Sequence, residues 1–285
     1  MSKQQLVNPE EPEQEKVYPK IFIGIPTGPP KLYSTYIMIA ALTNVDYPNL
    51  EIHWAVTGGS EHPDFQDYLE RLTQMCAAVK WNEGVTNHIH YVPLTIAERN
   101  TNFCPILRNK TVLRDKFLDG DAEYFLLLGG DNPPPRKAIK RLLKVDADVS
   151  MGTCFQRPKI DKRCGYYPLV WRYSWLPSDL DKFPDLEPRN LEELQLAWLS
   201  APSMINVVYD PNWRRHRTVW NVTGGDGCAL IKRRVLEMID WGVVPSKAFH
   251  SEDIHFMGLC LWHGFTTAVA TDLHIPHFDP DGKCY

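Results

Sequence analysis

Glu123-Tyr-Phe-Leu-Leu-Leu-Gly-Gly-Asp-Asn-Pro-Pro-Pro135 is the stretch around which the rest of the chain is read. Tyr124 to Leu128 is an apolar run of the length of a buried strand. Gly129, Gly130, Asp131, Asn132 and three prolines follow, which stop the strand and force a turn. The result is a carboxylate, Asp131, at the carboxyl end of a buried strand. Open α/β sheets bind their ligands at that edge. Taken alone, Asp131 and Asn132 are also ordinary turn formers, so their meaning depends on what surrounds them.

Upstream, Lys20 to Ile25 reads as a strand closed by the rigid loop Pro26-Thr-Gly-Pro-Pro30. A helix is predicted over Tyr33 to Leu42. A second strand runs from Glu51 to Val56 and ends in Thr57-Gly58-Gly59. Pro63 to Val79 has helical periodicity, with Phe65, Tyr68, Leu69, Leu72, Met75 and Cys76 on one side. His88 to Val92 is a third strand, and Pro105 to Leu118 a helix with Arg108, Asn109 and Lys110 in its first turns. Downstream of the central strand, a helix is predicted over Pro134 to Leu143, with proline in its first turn, and a strand over Ala147 to Gly152. Strand and helix alternate, which predicts an α/β fold with a mostly parallel sheet and helices on both faces.

The rhythm stops at Thr153. Residues 154–219 are rich in proline and aromatics, including Trp171, Trp175, Trp198 and Trp213, with one helix predicted over Leu191 to Leu199. So long an irregular stretch is often functional. Order returns with a strand over Thr218 to Val222, the loop Gly224-Gly-Asp-Gly227, a strand over Cys228 to Ile231 and a helix over Arg233 to Ile239. A further helix opens at Ser251-Glu252-Asp253, a last strand spans Phe265 to Ala270, and Asp272-Leu-His-Ile-Pro-His277 leads into a tail. The expected organisation is a loosely attached tail over 1–18, one domain over 19–277 with 154–219 as an insertion, and a tail over 278–285.

The 285 residues are 44% hydrophobic and 23% charged, with a net charge of -4. That is the balance of a globular protein, and it gives no overall attraction to nucleic acid or anionic membrane. No apolar run approaches the roughly 18 residues of a membrane span, and no basic-then-apolar leader is present. The seven cysteines are scattered, without the close spacing of a zinc site. Reduced thiols and a cytoplasmic placement are expected.

Four clusters carry chemistry. Asp131 is the first, and the glycine loop containing Gly225 and Asp226 is the second, where backbone can approach a ligand closely. Glu252 and Asp253 form the third. Behind Ser251 they suit a helix N-terminus, and they also suit a general base facing a cleft. His274 and His277 form the fourth, either as loop histidines or as metal ligands beside Asp131. A carboxylate with an imidazole suits manganese as well as magnesium, and few protein ligands leave positions open for a diphosphate. The aromatics near 166–175 and 213–220 are either core or the wall of a cleft. Trp213-Arg-Arg-His-Arg217 is either a phosphate-facing cluster or a solvated face.

Taken in order, these residues resemble a glycosyltransferase of the GT-A (Rossmann-like) fold, close in layout to the family-2-like enzymes, over most of 20–277. Ile23-Gly-Ile-Pro-Thr27 looks like the opening nucleotide-binding strand, and Arg108-Asn109 resembles the arginine-asparagine that often precedes the central strand. Leu128-Gly-Gly-Asp131 stands where that family has Asp-x-Asp, with Gly129 in place of the first aspartate. Gly224 to Gly227 resembles its acceptor loop, Glu252-Asp253 its Glu-Asp pair, and His277 its late histidine.

The resemblance implies a nucleotide-sugar donor held by Pro26, Thr27, Gly58, Arg108, Asp131 and Asn132. It implies a hydroxyl acceptor near Trp220, Gly225 and Asp226, and a divalent cation (manganese or magnesium) on Asp131 and His277. Asp253, with Glu252 behind it, would serve as the base of an inverting transfer, and Arg157, Lys159 and Arg163 would supplement the reduced metal charge. The acceptor is left open among glycans, lipid-linked sugars, proteins, small metabolites and modified DNA. Two alternatives stand beside this reading. One is a sugar nucleotidyltransferase, for which Gly28-Pro-Pro-Lys31 is a poor version of the glycine- and lysine-bearing loop. The other is a non-catalytic sugar-nucleotide or glycan-binding protein, which the missing first aspartate would suit.

Overall fold

Strand β1, Ile21–Thr27, splits its side chains between two cores. Ile21, Ile23 and Ile25 face one core, and Phe22 faces the other. This is the period-two alternation of a strand buried on both sides. A computed structural model of the chain describes residues 18–58, 63–94, 104–156, 167–168, 170–173, 204–206, 216–224, 227–241 and 252–280. The same split recurs in β4, Tyr124–Leu128, and in β11, Cys228–Lys232. There Leu126, Leu128, Cys228 and Leu230 join the first core, while Phe125, Leu127, Ala229 and Ile231 join the second.

Helices cover both faces. The first core is closed by α1 (Leu32–Thr43), α2 (Pro63–Ala78) and α4 (Ala138–Leu143), through residues such as Met38, Leu42, Phe65, Leu72 and Leu142. The second is closed by α3 (Cys104–Asp119), α5 (Arg233–Met238) and α6 (Glu252–Trp262), through Leu113, Phe117, Val235, Phe256 and Met257.

The main sheet also contains β2 (Leu50–Gly58), β3 (Thr86–Pro93), β5 (Val149–Gln156), β9 (Thr218–Trp220) and β12 (Thr267–Ile275). Its order is β3-β2-β1-β4-β11-β5-β12-β9, with the two-residue β6 (Tyr167–Pro168) pairing on β5. Strands β3, β2, β1 and β4 are mutually parallel, as are β5 and β12, whereas β11 runs against both its neighbours. The chain winds from β1 outward to β3, then returns to place β4 on the other side of β1. The carboxyl ends of β1 and β4 therefore flank the point where the winding reverses, which is where such sheets leave a crevice. From the insertion, β7 (Val170–Tyr173) and β8 (Met204–Asn206) form a small antiparallel sheet with β10 (Thr223–Gly224), which lies just after it.

The expected α/β fold with a mostly parallel sheet and helices on both faces is the one observed. Three local expectations are corrected. The helix predicted from Pro134 begins at Ala138. Each proline pushes the residue before it out of the helical region, so Pro133 and Pro134 cannot start the turn. The strand predicted over Ala147–Gly152 spans Val149–Gln156. The last strand runs on to Ile275, with its pairing to β5 interrupted between Ala270 and His274. The helix expected over Leu191–Leu199 lies outside the described residues, as do most of the 154–219 insertion and residues 1–17 of the expected tail. Among the described residues, no helix is long and apolar enough to cross a membrane. Cys76, Cys154, Cys228 and Cys260 are buried and not in disulfides.

One side chain fastens the two halves. Arg233, at the start of α5, donates to the carbonyls of Phe117, Leu118, Gly120 and Ala122, and its guanidinium lies 4.5 Å from the Phe117 ring centroid. It meets carbonyls at and just beyond the C-terminus of α3, where helical carbonyls run out of backbone partners; Phe117 O also accepts from Gly120 N at 3.2 Å. Nearby, Phe125 is fully buried, within 5.3 Å of Phe22, 5.4 Å of Phe117 and 6.0 Å of Trp241 between ring centroids. Phe125→Ala should cost about 3–5 kcal/mol of stability through the cavity it opens. Urea unfolding of the two proteins measures this, and a loss below ~1 kcal/mol would mean that the second core is not packed through this ring.

Candidate active site

A cavity of about 390 Å³ opens at the carboxyl ends of β1 and β4. Its wall is assembled from the loop after β1, the end of β2, the first turns of α3, the loop after β4, Cys154, Gly227, the start of α6 and His277. Residues far apart in sequence meet here because the winding reverses at this point.

Asp131 stands at the centre and is only 7% exposed. Its Oδ2 accepts from the Lys31 ammonium and, at 3.1 Å, from the Tyr33 hydroxyl. His277 Nε2 lies 3.4 Å from the same oxygen. Burial pushes the Asp131 carboxyl up, but His277 and Lys31 outweigh it and hold the group down at about 2. The Tyr33 hydroxyl is pushed well above the ordinary phenol value, first by burial and then by the Asp131 charge, so it remains a donor.

Asn132 locks the loop. Its Nδ2 donates to Pro276 O at 3.2 Å, and Phe278 N donates to Asp131 O at 3.0 Å. These two bonds draw the end of the chain, with His277, onto the loop after β4. The Asn132 side chain lies against two glycines. A Cβ on Gly129 would stand 2.4 Å from Asn132 Oδ1, and one on Gly227 would stand 2.8 Å from it. Gly129 N donates to Gly227 O at 3.0 Å, so the backbones are in direct contact. Gly129, which takes the place of the expected first aspartate, therefore has no room for a side chain while Asn132 keeps this position.

On the β1 and β2 side, Thr27 Oγ1 and Tyr68 OH are 2.6 Å apart, and Thr35 Oγ1 is 3.1 Å from the same phenol. Asn109 Nδ2 donates to Thr27 O and to Thr57 Oγ1, both at 3.3 Å. Because a carbonyl can only accept, Nδ2 is fixed as the inner donor, and Oδ1 is left buried without a partner. On the opposite wall, Lys110 Nζ donates to Glu252 Oε1 at 3.2 Å, an ion pair almost closed to solvent. Asp253 also lines the cavity, and its Oδ1 accepts from the Ile254 N–H at 2.8 Å.

The cavity thus gathers Pro26, Thr27, Asp131, Asn132, Glu252, Asp253 and His277 of the residues singled out in the sequence. Gly58, Arg108 and Trp220 are not part of its wall. Gly58 abuts the Phe65 ring, which a Cβ would meet at 1.9 Å. Arg108 is exposed, and the residues turned to the cavity are Asn109 and Lys110. Trp220 is 46% exposed on the edge strand β9. His274 is exposed and stacks on Phe155, 5.4 Å away. Arg217 pairs with Asp272 at 3.3 Å on the surface. Gly225, Asp226, Arg157, Lys159 and Arg163 lie outside the described residues. Lys31, which in the sequence reads only as part of a poor nucleotide loop, is a site residue that sequence reasoning misses. A basic residue just past a strand-ending turn was its available signal.

The donor set offers a divalent cation two protein ligands, the Asp131 carboxylate and the His277 imidazole, converging on one spot of the cavity wall. Among the described residues no group of three His, Cys, Asp or Glu side chains could hold an ion. The arrangement fits an ion that takes its remaining ligands from a bound diphosphate and water, provided the Lys31 ammonium leaves Oδ2.

No protein-family model matches the chain, and no curated protein matches it. Several solved structures overlay on it in part. A197 from STIV is 17% identical, with a TM-score of 0.43 over 93% of this chain and 92% of its own. The mannosyltransferase PcManGT from Pyrobaculum calidifontis, in complex with GDP-Man and Mn2+, is 13% identical, with a TM-score of 0.47 over 93% of this chain and 60% of its own. The inositol-1-phosphate CTP transferase from T. maritima is 14% identical, with a TM-score of 0.44 over 88% of this chain and 85% of its own. At these values no residue role is carried over from them.

Two outcomes are expected from the Asp131 loop. Asp131 is held down, so its contribution to stability is complete above its ordinary value of 3.8 and is lost as pH falls through about 2. Asp131→Asn should therefore be less stable than the parent by about 2 kcal/mol at neutral pH, with the gap closing below roughly pH 3. Urea unfolding across pH 2–7 reads this, and a gap independent of pH would remove the ionised carboxylate as its cause. Second, Gly129→Asp should destabilise by about 1–3 kcal/mol through crowding against Asn132. Adding Asn132→Ala should relieve part of that loss, and simple additivity in thermal melts would show that Asn132 is not the obstacle.

Proposed function

We propose that the chain is a glycosyltransferase that moves a sugar from a nucleotide-sugar donor to an acceptor hydroxyl, with inversion at the anomeric carbon. The observation that carries the reading is the convergence of His277 Nε2 to within 3.4 Å of Asp131 Oδ2 in a cavity that Glu252 and Asp253 also line. It supports a diphosphate side and a base side in one cleft.

In this reading Pro26, Thr27 and Asn109 wall the nucleoside, and the diphosphate lies toward Asp131. Asp131 and His277 would hold manganese or magnesium, which supplies positive charge to the departing diphosphate. Asp253 takes the proton from the acceptor hydroxyl. The hydroxyl oxygen bonds to the anomeric carbon as the bond from that carbon to the diphosphate oxygen breaks, and the diphosphate leaves on the opposite side. Asp253 is preferred over Glu252 because Glu252 is committed to the buried Lys110 pair. The acceptor, a glycan or another hydroxyl compound, enters from the side of Gly227, which lines the cavity.

A second reading, a sugar-nucleotide-binding protein without turnover, is favoured by Gly129, since the place of the first aspartate is filled by Asn132. Asp253→Asn separates the two. Nucleotide sugars should raise the melting midpoint of parent and variant alike, while transfer falls by about 10²–10⁴-fold in the variant. Undiminished transfer would remove Asp253 as the base. A parent that binds a nucleotide sugar but transfers to no hydroxyl acceptor and does not hydrolyse it supports the second reading.

A further inference from the structure

We propose that Lys31 is an exchangeable counter-ion: its ammonium holds Asp131 until the donor arrives with a divalent ion, then yields the carboxylate and moves onto the donor's diphosphate. The proposal rests on the donor-binding reading above and adds a role for a residue of this chain.

Position is the first ground. Lys31, Tyr33 and His277 all address one oxygen, Asp131 Oδ2. An ion that takes Asp131 and His277 as ligands needs that same oxygen. A monovalent and a divalent cation a few ångströms apart repel strongly inside a cavity, so the two occupancies exclude one another.

Freedom to move is the second. The Lys31 backbone is fixed, because its N–H donates to Gly28 O at 2.8 Å and its carbonyl accepts from Ser34 at 3.0 Å and Thr35 at 2.9 Å. Its side chain is 37% exposed, whereas that of Asp131 is 10% exposed. The flexible stem can therefore swing while the carboxylate stays.

Charge is the third. Among the described residues lining the cavity, the three carboxylates of Asp131, Glu252 and Asp253 outnumber the two ammonium groups of Lys31 and Lys110, with the His277 imidazole beside Asp131. Such a wall repels a diphosphate. A divalent ion on Asp131 reverses the sign, and the released Lys31 adds its charge at the place where the phosphates lie.

The test measures Mn2+ binding to the full chain by electron paramagnetic resonance, without nucleotide, and then UDP and GDP binding at saturating Mn2+. The proteins compared are the parent, Lys31→Met and Lys31→Arg. Lys31→Met should bind Mn2+ about tenfold more tightly, because the competing cation is gone. It should bind the diphosphate that the parent prefers about tenfold more weakly, because the charge on the phosphates is gone. Lys31→Arg should stay near the parent in both. Unchanged or weaker Mn2+ binding in a folded Lys31→Met overturns the exchange. A parent that binds a nucleotide but no Mn2+ also overturns it and leaves glycosyl transfer standing. A parent that binds Mn2+ but neither nucleotide sinks the donor reading, and with it the second half of the proposal.

Discussion

The site depends on a single wedge, the Asn132 side chain seated against Gly129 and Gly227. A Cβ on either glycine would crowd the Asn132 side chain where it now sits. Their bareness lets the loop after β4 touch the turn before β11 through Gly129 N and Gly227 O. Asn132 then reaches Pro276 O, and the last described segment folds back over the loop. His277 faces Asp131 as a consequence of this order of contacts. An acid at position 129 would have to displace Asn132 from this seat. Asp131 is therefore the one carboxylate of this loop.

Two buried carboxylates of the cleft are each met by a lysine. Lys31 meets Asp131, and Lys110 meets Glu252. Isolated, each of these groups would be costly in a site that excludes water. Paired, they are held in fixed directions and lose little on meeting a ligand, which is the sense in which an active site is preorganised. The two pairs differ in reach. Lys110 is closed off from solvent at the root of α3, so its pair is architectural. The outer pair includes a long side chain at the cavity mouth, and only that one can rearrange without disturbing a core.

Much of this was legible in the sequence because it is local. The alternation of Phe125, Leu126 and Leu127 gives a strand with two buried faces, and the glycines and prolines behind it give the loop. Asp131, Asn132, Glu252, Asp253 and His277 stand at element ends, where punctuation marks them. What was not legible is non-local or a matter of helix phase. Lys31 and Asp131 are 100 positions apart, and Lys110 and Glu252 are 142 apart, so no window of sequence contains either pair. Arg108 and Asn109 differ by about 100° around a helix. Composition could not say which one turns inward, and the structure gives that place to Asn109. The late start of α4 was readable, since each proline restricts its predecessor, but proline's preference for a first helical turn pointed the other way.

The Arg233 clamp bears on whether the chain can be divided. The first four parallel strands and their helices look like a self-sufficient half. Yet the chain leaving α3 is only partly satisfied locally, through Gly120 N on Phe117 O; the carbonyls of Phe117, Leu118, Gly120 and Ala122 also accept from a side chain more than 110 positions downstream. A ribosome releases the residues of α3 well before it makes Arg233. The early half therefore lacks the Arg233 bonds until the later strands dock, which ties the two halves together rather than leaving one as a module with an attachment.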